Sequence, residues 1–152
     1  MTQEEFLSEM DTRKSGASEN SLLRFEKSLG TRLPTQYRLF LKRCNGGYCG
    51  GTVLFKRNGP SVHHIFGLRG ELSLPWLLDL RNQGKGPPIP HDIFPIMDDP
   101  GGQAICIGLS KAKSGQIYYW VDGKTRRLAK SLAEFIRGLK VRNPDAFEDD
   151  DE

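Results

Sequence analysis

Apolar positions in the first third of the chain recur with a helical period. Between residues 33 and 44 they fall at i, i+4, i+7, i+8 and i+11, which places them on one face of a helix. Pro34 suits the first turn, where its fixed φ helps and its missing N–H costs nothing. The run Asn45-Gly46-Gly47 predicts the end of this helix, because glycine readily adopts the left-handed conformation found there. The apolar face consists of Leu33, Tyr37, Phe40, Leu41 and Cys44.

Two segments before this helix are also predicted to be helical. Residues 18–29 carry an apolar stripe, with Ser18 placed to act as the N-cap and Gly30 to end the helix. Residues 2–13 predict a short helix, and a polar break that contains glycine follows it. We therefore predict two principal N-terminal helices, with a Leu-Pro linker between them.

The remainder of the chain favours strands. Residues 72–80 predict a helix that covers one face of a sheet, and Ser131 predicts the N-cap of a closing helix with Leu139 on its apolar stripe. We predict an α+β fold, a mostly antiparallel sheet of about five to six strands with helices packed against it, two N-terminal helices and a closing C-terminal helix. The predicted strands are residues 52–55, 62–66, 93–97, 103–109, 116–121 and 125–129.

The first third of the chain carries, in this order, Glu26, Leu29-Gly30, Leu33-Pro34, Tyr37, Phe40-Leu41 and Asn45-Gly46-Gly47. Their order and spacing resemble those of a known family, the SUKH superfamily. This family includes fungal regulators of cell-wall synthesis and many bacterial immunity proteins. The resemblance covers about residues 18–140 and also includes Ile89-Pro90, the turn at Asp98-Asp99, Tyr118 and the closing helix. The positions that carry the motif, and to which the resemblance assigns a structural role, are Glu26, Gly30, Pro34, Tyr37, Phe40, Asn45, Gly46, Gly47 and Trp120.

The resemblance implies a protein-binding module. The expected function is that of an immunity protein, which neutralises a secreted or contact-delivered toxin by stoichiometric binding. Two alternatives remain open: a general interaction or regulatory module without a toxin partner, and a nucleic-acid binder that uses basic surface.

Composition and charge bound these possibilities. The 152 residues suggest one domain over residues 1–144, followed by an acidic tail at 145–152 that we expect to be flexible. The tail holds six of the 19 acidic residues, so residues 1–144 carry 22 bases and 13 acids, a net charge of +9. The bases are dispersed, which makes nucleic acid an unlikely partner. No apolar run is long enough to span a membrane, so we expect a cytoplasmic protein.

The chain offers little that resembles catalytic or metal chemistry. Its three cysteines are an odd number, which argues against a disulfide framework, and no nucleophile motif is present. His63 and His64 are adjacent in a predicted strand, where neighbouring side chains point to opposite faces. We therefore predict no metal site, no cofactor and no enzymatic activity.

The candidate partner-binding residues come from loop positions and exposed aromatics. Tyr48 and Cys49 lie in a predicted glycine-rich loop, where we expect Cys49 to be exposed, and Trp76 lies within the helix predicted over residues 72–80. Asp98 and Asp99 precede Pro-Gly-Gly, where aspartate commonly caps its own turn. That structural interpretation is favoured, and the family resemblance adds this turn as a candidate recognition surface.

Overall fold

A computed structural model describes residues 1–56 and 59–142, and the predicted acidic tail lies outside these residues. The helices are α1 (Gln3–Ser8), α2 (Glu19–Leu29), α3 (Thr35–Arg43), α4 (Leu74–Asn82) and α5 (Leu132–Arg137). The strands are β1 (Thr12–Arg13), β2 (Gly47–Phe55), β3 (Ser61–Ile65), β4 (Ile93–Asp98), β5 (Ala104–Gly108), β6 (Ile117–Val121), β7 (Lys124–Ala129) and β8 (Leu139–Val141).

The strands form one antiparallel sheet. Its order is β1-β2-β3-β4-β5-β6-β7, and β8 pairs with the second half of β2. The predicted α+β class and the antiparallel sheet are confirmed, but five to six strands was too low for the part of the chain described. The two strands that were missed, β1 and β8, have two and three residues, which is too short to display a period of two.

The main core lies between the helices and one face of the sheet. Alternate residues of β5 point to opposite faces, so that Ile105 and Ile107 enter this core while Cys106 lies on the other side. Phe6 of α1 stacks on Phe40 of α3, with ring centroids 6.2 Å apart. The opposite face carries a smaller cluster made of Ile89, Ile93, Ala104, Cys106 and Tyr118, with Trp120 packed against it.

The predicted ends of α2 are confirmed, whereas the predicted end of α3 is wrong. Ser18 accepts a hydrogen bond from the Ser21 backbone N–H, and Gly30 ends α2 with a φ of 85°. Helix α3 begins directly after Pro34, which is its N-cap, and ends at Arg43. Cys44 then has extended backbone, so Asn45-Gly46-Gly47 does not cap the helix and instead leads the chain into β2.

The C-terminal part of the domain also differs from the prediction. Ser131 caps α5 as expected, through a hydrogen bond from the Glu134 backbone N–H. The helix ends at Arg137, however, and Leu139 starts β8, where it pairs with Phe55 of β2. Among the residues that the model describes, no helix combines the length and apolarity that crossing a bilayer requires.

Candidate functional site

Glu26 forms a buried polar joint between α2 and α3. Its Oε2 atom accepts hydrogen bonds from the Leu33 backbone N–H at 2.7 Å and from the Arg38 Nε at 3.2 Å. Arg38 also donates to both carboxylate oxygens of Glu19, at 2.8 and 2.6 Å. The carboxylate therefore fixes the Leu-Pro linker against α2, which explains why the motif needs a Glu at this position.

The joint also shifts the pKa values of its carboxyl groups. Burial by itself would raise the pKa of Glu26, but the hydrogen bonds from Arg38 and Leu33 outweigh it and lower the pKa below 4.5. Hydrogen bonds from Arg38 and Lys42 lower the pKa of Glu19 to about 2. Both groups therefore stay ionised in the folded protein under ordinary conditions.

Asn45 forms a second polar joint, between the end of α3 and the segment after β3. Its Oδ1 accepts a hydrogen bond from the Leu68 backbone N–H at 2.7 Å, and the residue is buried. Gly67 passes so close that a Cβ there would lie 2.0 Å from the Asn45 carbonyl oxygen. Gly46 has a φ of 102°, a conformation that L side chains rarely adopt. In this structure the Asn-Gly-Gly motif therefore packs the end of α3 against the segment that follows β3.

The carboxylate of Asp99 is used inside its own turn. Its Oδ1 accepts hydrogen bonds from the backbone N–H groups of Gly101 and Gln103, at 2.9 and 3.0 Å. Its Oδ2 accepts one from the hydroxyl of Tyr119. Burial and this hydrogen bond raise the pKa of Tyr119 above its ordinary value. The prediction that this aspartate caps its own turn is confirmed, and the residue is buried rather than offered to a partner.

Tyr48 and Cys49 lie in strand β2 and not in a loop. Tyr48 is half-buried and pairs with His64 across the strands, whereas Cys49 is fully buried. The expected exposure of Cys49 is therefore wrong. Gly50 and Gly51 have left-handed backbone and form a bulge, which carries the strand through the glycine-rich stretch without ending it.

His63, His64 and Asp98 converge on one side of the sheet. The ring of His64 places Nδ1 at 3.2 Å from Asp98 Oδ1, and its backbone N–H donates to the same oxygen at 2.9 Å. The centroids of the two imidazole rings are 4.2 Å apart. Tyr48 lies against both rings, with centroid distances of 5.0 and 5.3 Å. The expectation that the two histidines diverge is wrong.

The exposed apolar side chains lie on other elements. Trp76 near the start of α4 is 44% exposed, and Leu72, which precedes the helix, is 42% exposed. A groove of about 530 Å³ between α2 and the start of α4 has Arg24, Arg69 and Pro75 in its lining, and Pro75 directly precedes Trp76 in the chain. The chain's second tryptophan, the motif residue Trp120, packs instead against the small cluster on the back of the sheet.

A second groove is associated with α3. It has a volume of about 640 Å³ and includes Leu39, Arg32 and Lys130 in its lining. Leu39 is 58% exposed, and sequence reasoning did not select it because it lies off the apolar stripe of its helix. A solvent-facing leucine inside a helical pattern is the one signal that could have indicated it.

The chain forms an α+β domain in which Glu26 links α2 to α3 and Asn45 links the end of α3 to the segment after β3. A family model, the SMI1 / KNR4 family (SUKH-1), matches residues 16–138. The chain belongs to this family, and its domain is a SUKH-type module. The resemblance inferred from the motif is thereby confirmed. Comparison with curated proteins finds no match.

Proposed function

We propose that the chain is a protein-binding module, and more specifically an immunity protein that neutralises a toxin by stoichiometric binding. The observation that carries this proposal is the family match over residues 16–138, together with the bacterial immunity proteins that the motif resembles. The cytoplasm is the proposed location, where such a protein would meet an incoming toxin.

The proposed docking surface is centred on Trp76. Tryptophan is enriched among the residues that dominate protein interfaces, and this side chain is 44% exposed. Leu72, four residues earlier in the chain, is 42% exposed. Pro75, the residue before Trp76, lines a groove together with Arg24 and Arg69, whose side chains give the groove positive charge. An acidic patch on the toxin would complement this charge and would speed association.

The proposal assigns no catalytic step to this chain. Thiol chemistry needs a thiolate, and burial raises the pKa of Cys49 and that of Cys106 to about 12. Burial also raises the pKa of Cys44. All three thiols are therefore protonated near neutral pH, in keeping with their packing in the two hydrophobic clusters.

The decisive experiment combines protection and affinity. We expect the chain to rescue growth of cells that express the toxin encoded beside its own gene, and to bind that toxin with 1:1 stoichiometry in calorimetry. Trp76→Ala should weaken binding by about 30-fold, the loss of about 2 kcal/mol that is typical of an interface anchor. Leu39→Ala is the matched control, because it shortens an exposed apolar side chain on a different helix.

Two results would count against the proposal. If no neighbouring gene product is toxic or bound, the immunity function fails and a general interaction module is left. If the toxin binds but Trp76→Ala and Leu39→Ala behave alike, the docking surface has been placed wrongly while the function stands.

A nucleic-acid partner is the second candidate, and one observation favours it. Lys124, Arg126 and Arg127 are exposed on the edge strand β7. Charged residues on an edge strand also prevent pairing with other chains, which gives these residues a purely structural use. A titration with DNA and RNA at increasing salt separates nucleic-acid binding from the purely structural use of these charges. Binding driven by phosphate contacts must weaken steeply as salt rises.

A further inference from the structure

The convergence of His63 and His64 originates in the bulge of strand β2. Tyr48 pairs with His64 and Val53 pairs with Val62, so residues 49–52 of β2 lie opposite the single residue His63 of β3. Such a mismatch bends the strand and interrupts its alternation. Val62 and Ile65 both enter the core, and the two histidines between them both remain partly exposed.

Asp98 completes a group of three ligands. It lies at the end of β4, beside β3, and its side chain is 18% exposed. Its Oδ1 lies 3.2 Å from Nδ1 of His64 and 3.9 Å from Nδ1 of His63. Taking one ligand atom from each residue, all three atoms lie within 4.8 Å of one another. The histidine side chains are 26% and 37% exposed, so an ion can reach them from solvent.

We propose that His63, His64 and Asp98 form a binding site for one divalent transition-metal ion, with Zn²⁺ as the best match. Imidazole nitrogen and carboxylate oxygen are the ligands that Zn²⁺ takes in proteins, at about 2.0–2.2 Å. Two ligands of a tetrahedral ion at that distance are about 3.4 Å apart, which is close to the observed separation of His64 and Asp98. Small rotations of the His63 ring complete the set.

The environment supports a preorganised site. The backbone N–H of His64 donates to Asp98 Oδ1 and fixes the carboxylate, and the Tyr48 ring restricts both imidazoles from one side. Three protein ligands leave the fourth position of a tetrahedral ion open, for water or for a group from another molecule. Nitrogen-rich ligation also favours Zn²⁺, Ni²⁺ and Cu²⁺ over Mg²⁺ and Ca²⁺, which prefer oxygen.

The test is a Zn²⁺ titration of the full chain, prepared without a histidine tag and stripped with a chelator. We expect saturable 1:1 binding that Mg²⁺ does not displace. His63→Ala, His64→Ala and Asp98→Asn should each weaken it by about tenfold or more, the scale on which loss of even an outer contact acts. His91→Ala is the matched control, because His91 is the remaining histidine, is exposed and is not part of the cluster.

A second measurement uses the unmodified chain, so its result does not depend on whether the substituted chains fold. Substoichiometric Ni²⁺ or Cu²⁺ should broaden the imidazole NMR signals of His63 and His64 before that of His91. The proposal is overturned if Zn²⁺ does not saturate the chain by millimolar concentration. It is equally overturned if His91→Ala lowers affinity as much as the cluster variants do, or if all three imidazoles broaden together.

Discussion

Glu26 carries a negative charge in a nearly fully buried position, and its hydrogen-bond partners determine whether that charge stabilises the fold. The side chain is only 6% exposed, yet it accepts hydrogen bonds from the Leu33 backbone and from Arg38. An ionised group in such a position stabilises the fold only while its partners remain in place. The residue therefore links the sequence motif to both the stability and the acid sensitivity of the domain.

Replacing Glu26 by Gln should lower the free energy of unfolding at neutral pH by about 2 kcal/mol, the scale of a lost charge-assisted hydrogen bond. The loss should shrink as pH falls. Because the pKa of Glu26 is lower in the folded chain than its ordinary value of 4.5, the unfolded chain binds more protons in that range. The contribution of the Glu26 carboxylate to the free energy of unfolding is present above pH 4.5, and it disappears as pH falls through the pKa of the folded chain. Urea unfolding between about pH 6 and pH 3 measures both effects.

The control is Glu71→Gln, which removes a charge from an exposed position. It should leave both the neutral-pH stability and its pH dependence close to those of the unmodified chain. Equal slopes for the unmodified chain and the Glu26→Gln variant would contradict the assignment of acid sensitivity to this joint.

At the scale of elements, the turn between β4 and β5 is built around one side chain. Asp99 binds two backbone N–H groups of its own turn and the hydroxyl of Tyr119 on β6. The turn is thereby tied to a strand beyond its own hairpin. A partner that contacts this region meets the outer surface of the turn and not the Asp99 carboxylate.

Asp99→Ala should lower the free energy of unfolding by about 2–4 kcal/mol, since it leaves two turn N–H groups and a tyrosine hydroxyl without their acceptor. Tyr119→Phe removes the hydroxyl alone and should cost about 1 kcal/mol. Urea denaturation gives both values. If Asp99→Ala were as mild as an ordinary surface substitution, within about 0.5 kcal/mol, the carboxylate would not be holding the turn.

At the scale of the whole molecule, the core extends beyond the region that defines the family. The family match covers residues 16–138, whereas α1, β1 and β8 lie outside it. Phe6 and Leu7 of α1 are nevertheless buried in the main core. The N-terminal amino group also donates to the Leu139 carbonyl at 2.9 Å, which brings the first residue to the start of β8. Residues 3–8 and 139–141, which lie outside the family match, are therefore packed against the rest of the described domain.

Phe6→Ala should lower the free energy of unfolding by about 3–5 kcal/mol, because it removes a buried ring that stacks on Phe40. Leu23→Ala is the control, since Leu23 is 50% exposed on α2 and should change stability little. Chemical denaturation of the two variants measures their free energies of unfolding and shows whether α1 contributes to the stability of the domain. Equal effects would mean that α1 is an appendage, and the family region alone would then account for the stability.

The sequence by itself determined the elements whose signals are local. Helical spacing, the Ser18 and Ser131 caps and the glycine at position 30 depend on neighbours within a few residues, and so do the short apolar runs of β4 to β6. The first part of the family motif is also local, because Glu26 and Leu33 meet across one short linker. The predicted turn role of Asp99 rests on contacts two and four residues away and was recoverable for the same reason.

Only the tertiary structure decided the features that depend on distant partners. Cys44 leaves the helix as extended chain because Asn45 bonds to Leu68, and Cys49 is buried because β2 continues through its bulge. β1 and β8 form because each pairs with one half of β2. His63 and His64 meet Asp98 because four residues of one strand face a single residue of the next, a mismatch of register that neither strand encodes alone.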